Sequence, residues 1–270
     1  MGVMMSEAAG GTRCENDHDH DHGAGVEVGG AIRVSRLDLG HFIRPAAETG
    51  TGHPRAEPVF AHLVRHPRGF LLFDSGIGAG DAEADAHYRP HRRSLPAALA
   101  AEGVAVEEIA MVVNCHLHFD HLGGNPLFPG VPIVVQRTEL ATARAGDHTI
   151  DALVDFPGAV YEEVDGEVEP WPGLRIVPTP GHTPGHQSLW VERPGGGSVL
   201  LAGQAYDFAS EYAAAELARR VVAEGLAPPL PPYRPWLDRI ARLAPRTVCF
   251  AHDAAVYVPP PGGAPRALRP

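Results

Sequence analysis

The stretch His116-Leu117-His118-Phe119-Asp120-His121-Leu122-Gly123-Gly124-Asn125 places four metal-donor side chains within six positions. It follows residues 109–114, an apolar run that reads as a buried strand delivering the chain into the motif. Histidines two apart just beyond a strand can be aimed by a tight loop at one point, which gives a cation two neutral nitrogen ligands. Asp120 and His121 follow at once and are placed to face a second ion, while Gly123 and Gly124 permit the backbone turns of so compact a loop. Donors at this density are far more specific than any lone histidine.

Two further signals lie downstream. Thr179-Pro180-Gly181-His182-Thr183-Pro184-Gly185-His186 is a stiff Pro/Gly turn that presents His182 to the first ion and leaves His186 in a supporting position. His252 stands where a last strand, residues 247–251, ends. Around these motifs, residues 31–39, 59–65, 69–74, 132–136, 174–178, 187–192 and 198–202 read as strands. Helical patterning covers residues 94–102, 137 to about 145, 209–224 and 235–243. Arg193-Pro194-Gly195-Gly196-Gly197 reads as a hairpin connection, and the proline-rich residues 227–232 cannot form regular structure. With no long repeat and no linker, residues 31–270 read as one layered α/β domain. Residues 1–30 read as a disordered tail; their His18-Asp19-His20-Asp21-His22 tract can scavenge divalent metal but lacks a scaffold to fix a geometry.

The composition narrows the chemistry. The chain of 270 residues contains 16 histidines, and its 22 positive side chains are all arginines. The absence of lysine excludes a P-loop lysine and any Schiff-base mechanism. A formal net charge of −11 argues against a nucleic-acid partner held on a broad basic face and favours small neutral or lipophilic substrates. No stretch reaches the roughly 18 apolar residues of a membrane span. No signal-peptide core is legible either, so no membrane partner and a cytoplasmic location are expected. Cys14, Cys115 and Cys249 form no disulfide framework, which suits a reducing compartment. The sequence carries no signal for an oligomeric state.

In residues 116–125, 133–137, 179–189 and 251–253 the chain resembles the metallo-β-lactamase superfamily, and within it the N-acyl-homoserine lactonase group. The resemblance runs from about residue 33 to 253 and implies an αβ/βα sandwich, two mixed sheets flanked by helices, with a dinuclear zinc site at one edge. On that resemblance His116, His118 and His182 hold the first ion, and Asp120, His121 and His252 hold the second. Asp74, at the turn Phe73-Asp74-Ser75-Gly76, would orient a ligand histidine from behind. The implied reaction is hydrolysis of a lactone of the N-acyl-homoserine type by metal-activated water. Asp120 would relay a proton to the leaving ring oxygen, and Tyr206 would contact the oxyanion, one position from where the group usually carries a tyrosine.

One position departs from the group. Where an aspartate usually bridges both ions, this chain reads Leu201-Ala202-Gly203-Gln204-Ala205-Tyr206-Asp207, with Gln204 at the bridge. A glutamine offers an amide oxygen but no charge. Three arrangements stay open: Gln204 ligates through its carbonyl oxygen, Asp207 substitutes for it, or the site works with one metal. The alternative functions are hydrolysis of another ester, lactone or thioester, or a catalytically weak metal-binding homologue. Phe42, Phe128 and residues 228–236 are candidates for an acyl-chain pocket. His62 is one of seven histidines without motif context.

Overall fold

The computed structural model describes residues 32–146, 149–193, 195, 197–225 and 232–260. The expected tail and most of residues 227–232 lie outside the described residues. The elements run in chain order as β1 (Arg33–Arg44), β2 (Arg55–His66), β3 (Gly69–Phe73), α1 (Ala82–Tyr88), β4 (His91–Arg92), α2 (Leu95–Ala101), β5 (Ile109–Val113), β6 (Pro132–Gln136) and α3 (Arg137–Ala145). They continue as α4 (Asp151–Val154), β7 (Val160–Val164), β8 (Val168–Trp171), β9 (Leu174–Pro178), β10 (Gln187–Val191), β11 (Val199–Leu201), α5 (Ala209–Ala223), α6 (Leu237–Leu243) and β12 (Thr247–Cys249).

Successive side chains of a strand point to opposite faces, so a strand that is apolar throughout must be covered on both. Leu71 and Phe73 of β3 and Val134 of β6 face one apolar cluster, while Leu72, Ile133 and Val135 face another. Likewise Val199 and Leu201 of β11 face inward and Leu200 faces outward. The result is two sheets packed on each other, ordered β4-β1-β2-β3-β5-β6-β7 and β12-β11-β10-β9-β8. Val64, Val113 and Val134 of the first sheet meet Ile176, Leu189 and Val191 of the second in the shared core. Leu95 and Leu99 of α2 and Leu140 of α3 cover the outer face of the first sheet. Tyr212 of α5 and Leu237 and Ile240 of α6 cover the outer face of the second. The order helix, sheet, sheet, helix is the αβ/βα sandwich, with both parallel and antiparallel pairing in each sheet.

Several elements depart from the pattern expected from sequence. β1 and β2 are each 12 residues long; their outer portions carry polar residues that look like loop, but mutual antiparallel pairing continues to Arg44 and Arg55. Helix α1 buries no residue, so it leaves no apolar stripe to read; it is set by Asp81, whose side chain accepts from the backbone N–H groups of Glu83 and Ala84. β7 (VYEEV) is largely exposed and β8 (VEPW) contains a proline, so neither carries a clean strand signal. Gln187 ties the sheets together beneath the site: its Nε2 donates to the carbonyls of Asn114 at 2.8 Å and Val134 at 3.0 Å, and its Oε1 accepts from Gln136 at 2.9 Å. Among the described residues no helix is long and apolar enough to cross a membrane.

Candidate metal centre

The parallel strands β3 and β5 end beside each other, and the loop after β5 folds back onto the turn after β3. Ser75 N–H donates to the His121 carbonyl at 2.7 Å, Gly123 N–H donates to the Gly76 carbonyl at 2.8 Å, and Asn114 Nδ2 donates to the same His121 carbonyl at 3.0 Å. A Cβ on Gly123 would stand 2.1 Å from the backbone nitrogen of Gly78, so only glycine allows this approach. From the second sheet come the β9–β10 turn with His182 and His186, the residues after β11 with Gln204, and the end of β12 with His252.

Four groups of three convergent ligand atoms occur among the described residues; two include the buried Cys115, with His116 and His186 or with Asp74 and His121, and the other two contain the donors expected from sequence. His116, His118 and His182 offer nitrogens that all lie within 4.8 Å of one another, and so do the ligand atoms of Asp120, His121 and His252. Nε2 of His182 lies 3.1 Å from Nδ1 of His118. Nε2 of the fully buried His116 has no hydrogen-bond partner among the described residues. Burial, and then the neighbouring imidazoles, holds His116 well below the usual histidine range, and the same causes bring His182 down to about 3. These imidazoles are therefore neutral and present lone pairs.

The second group has the more telling geometry. His121 Nδ1 lies 3.0 Å from Asp74 Oδ2, and His252 Nδ1 lies 2.9 Å from the Pro58 carbonyl. Both partners only accept, so both Nδ1 atoms carry a hydrogen and both rings turn Nε2 inward. Against burial, which would lower it, Cys115 and the Asp120 and Asp74 carboxylates hold His121 well above the usual histidine range, so its Nε2 shares a proton at the point where a cation would sit. Those two Nε2 atoms are 3.2 Å apart. Gln204 Oε1 lies 3.2 Å from His121 Nε2, and Asp120 Oδ2 lies 3.3 Å from His252 Nε2 and 3.5 Å from His121 Nε2. Burial alone would raise the Asp120 carboxyl, but His121 and His252 hold it well below the ordinary carboxylate range. Two imidazole nitrogens, an amide oxygen and a carboxylate thus converge on one point, an arrangement that needs a positive charge at its centre, a proton or a metal ion. The donor set, five imidazoles and one carboxylate, fits zinc or a similar borderline cation.

The supporting residues expected from sequence occupy distinct places. Asp74, with φ 61°, accepts from the Cys115 N–H at 2.8 Å as well as holding His121. His186 Nε2 accepts the Gln204 backbone N–H at 3.1 Å, and its Nδ1 faces Thr179 Oγ1 at 2.8 Å. Asp207 stays outside both ligand groups and instead accepts from Gln204 Nε2 at 3.0 Å.

Tyr206 does not reach the cavity. Its ring packs 5.8 Å from those of Tyr212 and Trp236, with the Arg234 guanidinium 4.9 Å from its centroid. Its side chain instead joins the apolar cluster on the outer face of the second sheet, where Trp236 also packs and its ring finds aromatic neighbours. Phe128 is likewise fully buried in the outer cluster of the first sheet.

A cavity of about 580 Å³ opens onto both groups, reaching His118, Asp120, His182 and Gln204. Phe42, Tyr88 and Phe119 form its aromatic wall, with Tyr88 stacked on Phe119 at 4.7 Å and Phe42 edge-on to both. Glu48, Asp81 and Glu83 lie toward its polar side. Glu139 carries no motif signal, yet it joins the two histidine-bearing loops: its Oε1 accepts from Leu117 N–H at 2.9 Å and its Oε2 from Thr183 Oγ1 at 2.6 Å. Its place in the first turn of α3, directly after a buried strand, is the one clue that sequence offers.

A family model of the metallo-beta-lactamase superfamily matches residues 54–252, and the chain belongs to that superfamily. Over 156 residues it is 33% identical to an N-acyl homoserine lactonase of a Bacillus species, a match that covers 53% of this chain and 62% of that relative's length. Its fold is similar to that of an N-acyl homoserine lactone hydrolase with N-hexanoyl-L-homoserine bound at the catalytic metal centre, with a TM-score of 0.64 and 24% identity over 82% of this chain and 93% of that one. It is also similar to AidC, a dizinc quorum-quenching lactonase, with a TM-score of 0.52 and 18% identity over 64% of this chain and 71% of that one.

Proposed function

We propose that the chain is a zinc-dependent hydrolase that opens a lactone ring, with N-acyl-homoserine lactones as the substrate class. The observation that carries the reading is the convergence of five imidazoles and a carboxylate at the floor of a cavity with an aromatic wall. His116, His118 and His182 would hold one ion, and Asp120, His121, His252 and Gln204 a second. When bound, such ions acidify water and polarise an ester carbonyl. The chain's own residues do the rest. Asp120, ionised and lining the cavity, is placed to take a proton from the attacking water and pass it to the ring oxygen as that oxygen leaves. Phe42, Tyr88 and Phe119 take the acyl chain and exclude bulk water.

Away from the metal groups the cavity offers no free arginine to an anionic substrate group: Arg44, the arginine in its lining, is already paired with Glu57 at 2.7 Å and Glu48 at 3.6 Å, and Glu48, Asp81 and Glu83 add negative charge there. The lactonase activity of the Bacillus relative points the same way. Metal-free protein should open no lactone, and addition of zinc should restore opening of N-acyl homoserine lactones in preference to linear esters of similar length. Zinc-loaded protein that opens no lactone of any chain length overturns the reading.

A further inference from the structure

We infer that Asp207 is a positioning residue: through Arg55 on one side and the Gln204 amide on the other, it fixes Gln204 with its oxygen toward the second group of ligands and lends that oxygen negative charge. The inference rests on the metal-site reading above. An amide side chain can be turned either way, so its orientation depends on its neighbours. Asp207 Oδ1, 3.0 Å from Gln204 Nε2, can only accept, which commits the nitrogen to Asp207 and the oxygen to His121. Asp207 is held in turn by Arg55 at 3.1 Å, and Arg55 by the fully buried Glu57, which Arg44 grips through two hydrogen bonds of 2.7 and 2.8 Å.

Charges therefore alternate along Arg44, Glu57, Arg55 and Asp207 and end on a neutral amide. A carboxylate hydrogen-bonded to the N–H end of an amide polarises its carbonyl, in the way that outer partners tune metal-ligating histidines. The charge absent from position 204 is kept one hydrogen bond further out. Of the three arrangements open in the sequence, this geometry selects ligation by the Gln204 oxygen with Asp207 behind it.

The test is zinc binding to metal-free protein, measured by competition with a chromophoric chelator. In Asp207→Asn, Arg55 has only donors and claims the new Oδ1, which turns the new amide nitrogen toward Gln204 and forces the Gln204 amide to flip. The second zinc should then bind at least about tenfold more weakly while the first is unchanged, the first serving as a check on folding. In a Gln204→Ala background, Asp207→Asn should change second-zinc affinity by less than about twofold, because its route to the metal is gone. Wild-type protein that binds no second zinc, an unchanged second constant in Asp207→Asn, or an equal loss in both backgrounds overturns the inference and leaves the hydrolase reading intact. Wild-type protein that binds no zinc at all overturns both.

Discussion

The two ligand groups lie side by side but are built differently. His116 and His118 come from one short loop, and the third ring, His182, is brought in by a turn that Glu139 ties to that loop. The second group draws on residues 120–121, 204 and 252, and three of its donors are oriented by different partners: His121 by Asp74, Gln204 by Asp207 and His252 by the Pro58 carbonyl. Its donors are also the more deeply buried, and it contains the one carboxylate among the six proposed ligands other than Gln204. A site made mostly within one loop keeps its geometry as long as the loop does. A site assembled from several strand ends depends on the register of both sheets, and here it offers a single carboxylate to a cation.

The sharpest test of that contrast is a pair of deletions. His116→Ala should lose the first zinc and lower lactone hydrolysis by about 1000-fold, whereas His121→Ala should release the second zinc and leave the first bound. Loss of both ions in either variant, by metal analysis of purified protein, would break the distinction between the groups. A next test compares clustered imidazoles with an isolated one. Burial, with Arg36 nearby, lowers His62 to about 3, and neither of its ring nitrogens has a partner among the described residues. The unfolded chain, in which the ring titrates near 6.5, binds more protons between these two values, so stability should fall as pH drops through that window. His62→Leu should flatten this acid limb by up to about 3 kcal/mol, measured by urea unfolding at pH 7 and pH 4.

Smaller effects probe the supports. Glu139→Gln keeps an acceptor for the Leu117 N–H but turns an amide N–H₂ toward Thr183 Oγ1, which must then accept instead of donate; replacing the carboxylate by a neutral amide should cost about 1 kcal/mol of stability, read from thermal unfolding of the metal-free protein. In zinc titrations it should weaken the first ion more than the second; the reverse order would show that Glu139 does not hold the first group together. Gln204→Asp places a charge directly at the bridge and should tighten the second zinc by about tenfold, with little change at the first. Unchanged affinity there would mean that side chain 204 does not reach the ion.

The central strands were legible because β5, β6 and β9 are short apolar runs ending in turn residues, and the donor loop was legible because its residues are adjacent in the chain. The unforeseen parts lack such marks. α1 has no apolar stripe, yet with its neighbours it supplies Asp81, Glu83 and Tyr88 to the cavity. Glu57 sits in a strand between Arg55 and Pro58 with nothing to show that it is fully buried under two arginines. Tyr206 illustrates the opposite error: a chemically apt residue close to the site in sequence points away from it in space.

By itself the sequence determined the layered fold and the candidate ligands, since apolar alternation and donor spacing are local properties that each segment carries with it. The tertiary structure alone decided which way each donor faces. The ring orientations of His121 and His252, the orientation of the Gln204 amide and the burial of Glu57 and Glu139 follow from partners brought from distant segments. Hydrogen-bond direction depends on what stands opposite, and that is known only once both sheets are in place.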